Sequence, residues 1–218
     1  KWRMSVQDFE ASLSSQNWLE YLSDTGRSDN NAVFANLLEN ESFKQRFLNR
    51  FSDILNTVYS SEHFTSVINE TFNEIEPYLS EDANRADRDD FYEAEEKTDI
   101  LNWANNRPQE QRDIIKNQFN ISKTIDLDLD VSYYNGGFVK VNTIDVRSST
   151  PGVSEKPYPW SGVYFDNIPI TLEAKALPGY TFSHWSGDAT GSDKIITITP
   201  TNDLQIKANF TADSDFSH

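Results

Sequence analysis

The chain has 218 residues, with 35 acidic against 19 basic side chains and a formal net charge of −16. That much negative charge repels nucleic-acid phosphates and anionic lipid, which sets both aside as general partners. Cysteine is absent, which excludes disulfides, thiol catalysis and cysteine zinc sites, while 37% hydrophobic and 13% aromatic residues supply a packed core.

The chain opens on KWRMSVQDFE, dense in charge and aromatic side chains, with no initiator methionine and no signal-peptide pattern. It begins in mid-pattern, so we expect the distal part of a longer protein. A short helix is expected next, capped at Asn30 or Asn31 and burying Phe34, Leu37 and Leu38. Ser42 followed by Gln45 has the form of a capping box. Behind it Phe43, Phe47, Phe51, Ile54 and Val58 recur at spacings of three and four, one apolar stripe on a long helix. Ser61 is expected to cap a third helix with Phe64, Ile68, Phe72 and Ile75 on its inner face, and Pro77 to end or kink it.

The mixed-charge run from Ser80 to Asp99 reads as a solvated loop entering a helix; it lacks the regular acids and turn glycine of a calcium loop. That helix is expected over Glu93–Asn105, burying Ile100, Leu101 and Trp103. Pro108 then suits the first turn of another, with Ile114, Ile115 and Phe119 apolar.

From Ile121 the period changes to two. Ile125, Leu127, Leu129 and Val131 face one way, and Asp126, Asp128 and Asp130 the other. The three aspartates read as a solvated strand face, with calcium at a strand edge as the rival. Asn135-Gly136-Gly137 marks a turn into FVKVNTIDV, and SSTPGVSEKPYP a long loop. GVYF, IPITLEAKA, YTFSHWSG, KIITITP and DLQIKANF follow as short strands. The residues therefore predict an α+β chain: a helical region over 1–120, an all-β antiparallel sandwich or small barrel over 121–210, and a polar tail over 211–218. Helices followed by strands favour separate packing units. No apolar run reaches the ~18 residues of a membrane span.

The helical half resembles the C-terminal region of the CotH kinase family of bacterial spore-coat and surface proteins. The residues that carry the likeness are Leu37, Leu38, Asn40, Phe43, Arg46 and Phe47, then Ile75-Glu76-Pro77, then an Asn106-Arg107-Pro108 turn. Lys1-Trp2-Arg3 matches the strand that leads into the family's metal loop, where Asp8 and Glu10 fall on its two aspartates. The phenylalanine and glycine that follow in the family are replaced here by Ala11 and Ser12. The resemblance implies ATP and magnesium as the parent family's cofactors, with Asp8 and Glu10 as metal ligands in the intact protein. It also implies a missing N-terminal lobe as partner. A kinase needs a lysine and a cover on the phosphates; the sequence has no phosphate-cradling glycine loop, so we expect no catalytic residue in this stretch and no kinase activity from it alone.

The β half resembles the B-repeat or immunoglobulin-like modules of bacterial surface proteins. The match is carried by Ile170, Thr171, Leu172 and Ala174, by Pro178-Gly179-Tyr180, Phe182, Trp185 and Gly187, and by Ala208 and Phe210. It implies a spacer or attachment role and an extracellular or cell-surface location. Its aromatics suit core packing. The rival reading is a surface module that binds polysaccharide or protein, with Tyr158, Trp160 and Trp185 stacking on a ligand. His63, His184 and His218 have no zinc spacing, and no nucleophile elbow anchors a hydrolase triad.

Overall fold

The computed structural model describes residues 29–86 and 94–213. Four helices come first among these: α1 (Asp29–Glu39), α2 (Glu41–Leu55), α3 (Ser61–Ala86) and α4 (Ala94–Phe119). Eight strands follow: β1 (Thr124–Val131), β2 (Gly137–Val141), β3 (Ile144–Asp145), β4 (Trp160–Phe165), β5 (Ile170–Ala176), β6 (Tyr180–Gly187), β7 (Ile195–Ile198) and β8 (Leu204–Ala212). The α+β class and the order of its halves are as the sequence predicts.

The helix ends differ from expectation in ways that local chemistry explains. α1 starts at Asp29, ahead of both candidate caps, and its Leu37 is 43% exposed rather than buried. α2 is capped by Asn40, not Ser42. Asn40 has the extended backbone a cap requires, and its Oδ1 accepts from Phe43 N at 3.0 Å. The helix stops at Leu55, so Val58 falls in the following turn and leaves the stripe exposed. Ser60 rather than Ser61 caps α3, its Oγ accepting from His63 N at 3.3 Å.

Neither proline breaks its helix. α3 runs through Pro77 to Ala86, and α4 is one helix through Pro108 where two were expected. Part of the charged run is therefore helical, and the Asn106-Arg107-Pro108 turn is helix interior. A proline removes one intrahelical hydrogen bond, yet both helices continue past it. Ser61 Oγ donates to the Asn105 carbonyl at 2.8 Å, one residue beyond the carbonyl that Pro108 leaves without its helical donor. Phe64 packs edge-on against Trp103, at 5.6 Å between centroids. Ile75, expected inside, is 41% exposed.

The strands form two four-stranded sheets, in the orders β4-β1-β8-β6 and β3-β2-β5-β7. The sandwich is not wholly antiparallel: β1 pairs with β8 in parallel, Leu127 opposite Leu204 and Val131 opposite Ala208. Ile125, Leu127, Leu129 and Val131 all point into the core, each at most 4% exposed. Phe182 and Trp185 stand an odd number of residues apart and would face opposite sides of a regular strand. A bulge between Phe182 and His184 returns Trp185 to the inner face, where the two rings sit 5.1 Å apart. β8 carries into the expected tail as far as Ala212.

The two halves are not separate packing units. Leu48 of α2 and Ile115 of α4 share a core with Phe165 of β4, joined by Ile121 and Ile168 from the connections. The sequence could not show this, because the contacts join residues about half the chain apart.

Candidate functional site

The most constrained polar chemistry among the described residues lies along this junction, where the last turn of α2 meets β4 and the β2–β3 hairpin. Asp53, fully buried, stands at its centre. Its Oδ2 accepts from Thr143 N (2.9 Å) and Thr143 Oγ1 (2.5 Å). Its Oδ1 accepts from Tyr164 OH (3.0 Å) and Asn142 Nδ2 (3.3 Å). Burial raises the carboxyl above its ordinary value, and the Thr143, Asn142 and Tyr164 donors pull the other way without cancelling it. Burial, with the Asp53 carboxylate beside it, also pushes the Tyr164 phenol well up.

The hairpin is shaped for this contact. Asn142 takes a left-handed φ of 44° at the two-residue turn between β2 and β3, a conformation asparagine tolerates better than most residues. Its Oδ1 accepts from Thr171 N at 2.9 Å, so one side chain ties the turn both to β5 and to Asp53.

One turn on, Asn56 follows the end of α2 and its amide lies against the free edge of β4. Oδ1 accepts from Val163 N and Nδ2 donates to Val163 O, both at 2.9 Å. Arg112 of α4, 8% exposed, donates to the same Oδ1 at 2.8 Å and reaches the Leu55 carbonyl at 3.4 Å. Burial lowers the Arg112 guanidinium from its ordinary value, while Asp126 and neighbouring anionic groups oppose the shift. Asn49 completes the row, donating to the Pro169 carbonyl at 2.8 Å.

Glycines permit the close approach. A Cβ on Gly162 would lie 2.3 Å from the Trp160 ring and 3.1 Å from Asn56 Nδ2. Gly152, at φ +82°, brings the long loop so near the turn after α2 that a Cβ there would lie 2.3 Å from the Thr57 carbonyl group.

The residues singled out from sequence fall elsewhere. Asp8 and Glu10 lie outside the described residues. Tyr158, Trp160 and Trp185 are 4%, 7% and 1% exposed, packed in the sandwich core. Tyr158 OH accepts from Val139 N at 2.7 Å, and Trp185 Nε1 donates to the Asp193 carbonyl at 2.8 Å. Their rings are part of the core. Asp126, Asp128 and Asp130 stand on the outer face of β1: Asp128 accepts from Ser161 Oγ at 2.6 Å and Asp130 pairs with Lys207 at 2.8 Å. Among the described residues no group of three acidic or histidine side chains is placed to hold a metal ion. Asp53, Asn56 and Arg112 were missed, and Asp53 stands among the polar residues that the helical stripe of α2 assigns to solvent.

Helices bonded through buried polar groups to an eight-stranded sandwich define a two-part α+β protein. The CotH kinase protein family model matches residues 1–126, more than half the chain, and the chain belongs to that family. The divergent InlB B-repeat domain model matches residues 144–214. No curated protein and no solved structure matches the chain. The first match ends inside β1 and the second begins at β3, so the sandwich draws β1 and β2 from outside the repeat match. No described helix is long and apolar enough to cross a membrane.

Proposed function

We propose that this chain is the anchoring part of a CotH-family protein of the bacterial surface or spore coat, and that it performs no phosphoryl transfer alone. In this reading the B-repeat sandwich is a spacer or attachment module, and the helices carry the family's catalytic lobe, which would bind ATP and magnesium with Asp8 and Glu10 as metal ligands. The observation that carries it is the buried carboxylate of Asp53, bonded to three residues of the sandwich. A flexible tether would leave such a group in water. Burying it is tolerable only where its donors are held in place, which suits a part that sets the lobe's orientation rather than merely its distance.

The test has two arms. Small-angle scattering on the wild type and on Asp53→Ala reports whether the helices and sandwich keep one spacing, which the variant is expected to broaden. Incubation with magnesium and labelled ATP is expected to yield no phosphorylated product. Phosphate transfer by this chain would overturn the inactive reading, and unchanged scattering in the variant would overturn the fixed joint.

A further inference from the structure

A second feature of the joint is not explained by holding the halves together. Beside the Asp53 bonds, a cavity of about 480 Å³ opens between α2 and the outer face of the second sheet. Arg50 lines it from α2, Lys140 from β2, Lys175 from β5 and Asp145 from β3. Three cationic residues line it in a chain whose net charge is −16.

Those cations are poorly neutralised. Lys140 makes no ion pair or side-chain hydrogen bond among the described residues. Lys175 has only Glu173, at 3.8 Å. Arg50 commits one N–H to Thr143 Oγ1 at 2.8 Å and leaves its other donors to the cavity side or solvent. Lys140 and Asp145 stand directly opposite each other in the β2–β3 ladder, yet no ion pair forms between them. Instead Asp145 Oδ1 is buried with no hydrogen-bond partner. Buried acceptors of this kind are rare.

We propose that this cavity binds a small phosphate ester that also carries hydroxyl groups, a polyol phosphate being the simplest case. The three cations match a dianion, because charge-assisted hydrogen bonds to phosphate are the strong ones. Asp145 matches the hydroxyls: its unpartnered Oδ1 is buried in this structure, and a rotation of the carboxylate would present it to them. A metal ion is disfavoured by the same cations, and a neutral sugar would leave them unmatched. The volume lies within the usual range for small-ligand sites, roughly 300–1,000 Å³. Residues from both family matches line the cavity, so neither half would form it alone. Arg50 and Asp53 share Thr143, which couples occupancy to the joint. A ligand that binds only the joined state stabilises it by mass action.

The experiment titrates the isotope-labelled whole chain with glycerol phosphate, inorganic phosphate and glycerol, following backbone amide resonances. Glycerol phosphate is expected to shift the amides of residues 140–145 and 150 saturably. Inorganic phosphate should act at the same amides about tenfold more weakly, and glycerol not at all. Replacing both lysines, Lys140→Gln with Lys175→Gln, should weaken glycerol phosphate by about tenfold or more while the melting temperature without ligand holds. Asp145→Asn should erase the preference over inorganic phosphate. Absence of a saturable shift, shifts unaltered by the double substitution, or equal affinity for the two phosphates in the wild type would each overturn the proposal.

Discussion

The side-chain amide of Asn56 pairs with both backbone groups of Val163, accepting from its N–H and donating to its carbonyl at 2.9 Å each. A side chain thus takes the place of a neighbouring strand along the free edge of β4, which is where a sandwich is most open to wrong pairing. Asn56→Ala removes both bonds and strips Arg112 of an acceptor, and should cost about 2–3 kcal/mol. Asn56→Asp keeps the acceptor but sets an oxygen against the Val163 carbonyl in place of the donor, so it should also destabilise. Urea unfolding measures both; a wild-type midpoint for the alanine variant would show that the edge does not need the amide.

Asp53 gives the joint a pH signature. Its folded-state value is raised above the ordinary 3.8, so the folded protein holds the proton more tightly than the unfolded chain does. The stability this adds is fully present below 3.8 and is lost as pH rises through the higher folded value. Asp53→Asn does not titrate, and its NH₂ faces donors rather than acceptors. The variant should be less stable by about 2 kcal/mol at the acid end, and the gap should narrow toward neutral pH. Paired thermal melts across that range test the sign, and a gap that widens with pH would refute it.

Gly152 offers a steric test of the same contact. An alanine there meets the Thr57 carbonyl group at 2.3 Å and keeps a φ of +82°. Gly191, at φ +116° with nothing within 4 Å of a built Cβ, is the control for backbone strain alone. Gly191→Ala should cost about 1–2 kcal/mol and Gly152→Ala clearly more. Hydrogen exchange should show faster exchange at Thr57 and Val58 only in the second variant.

The buried tryptophans make a further prediction. Trp160→Ala and Trp185→Ala should each destabilise by about 3–5 kcal/mol through the voids they leave. Polysaccharide titration should leave the emission of Trp160 and Trp185 unchanged. Quenching that Trp160→Ala abolishes, in a variant that still folds, would return that residue to the ligand-stacking role.

The sandwich was largely legible in the sequence because one face of each strand is buried, and a period of two records that directly. Leu127 and Ile206 needed no knowledge of their partners to be placed inside. The helix ends were less legible, since Asn40, Ser42, Ser60 and Ser61 are all competent caps and only backbone geometry chooses among them. Pro77 and Pro108 misled for a different reason: a proline costs one helical hydrogen bond without obliging a helix of 26 residues to end. The joint was invisible because its bonds span long separations, 90 residues from Asp53 to Thr143 and 107 from Asn56 to Val163. A lone aspartate on a helix has no periodic signature to announce a buried partner.

The parallel pairing of β1 with β8 sets an order of events during synthesis. β1 sits mid-sheet, but Lys207 of its β8 neighbour lies 77 residues after Asp130. As the chain emerges, β4 reaches β1 first, and the opposite side of β1 stays unsatisfied until β8 arrives. Such distant pairing slows folding and prolongs exposure of an apolar strand. By then α2 and β4 have both been made, so Asn56 can already shield β4, leaving the nascent sheet with one open side to guard instead of two.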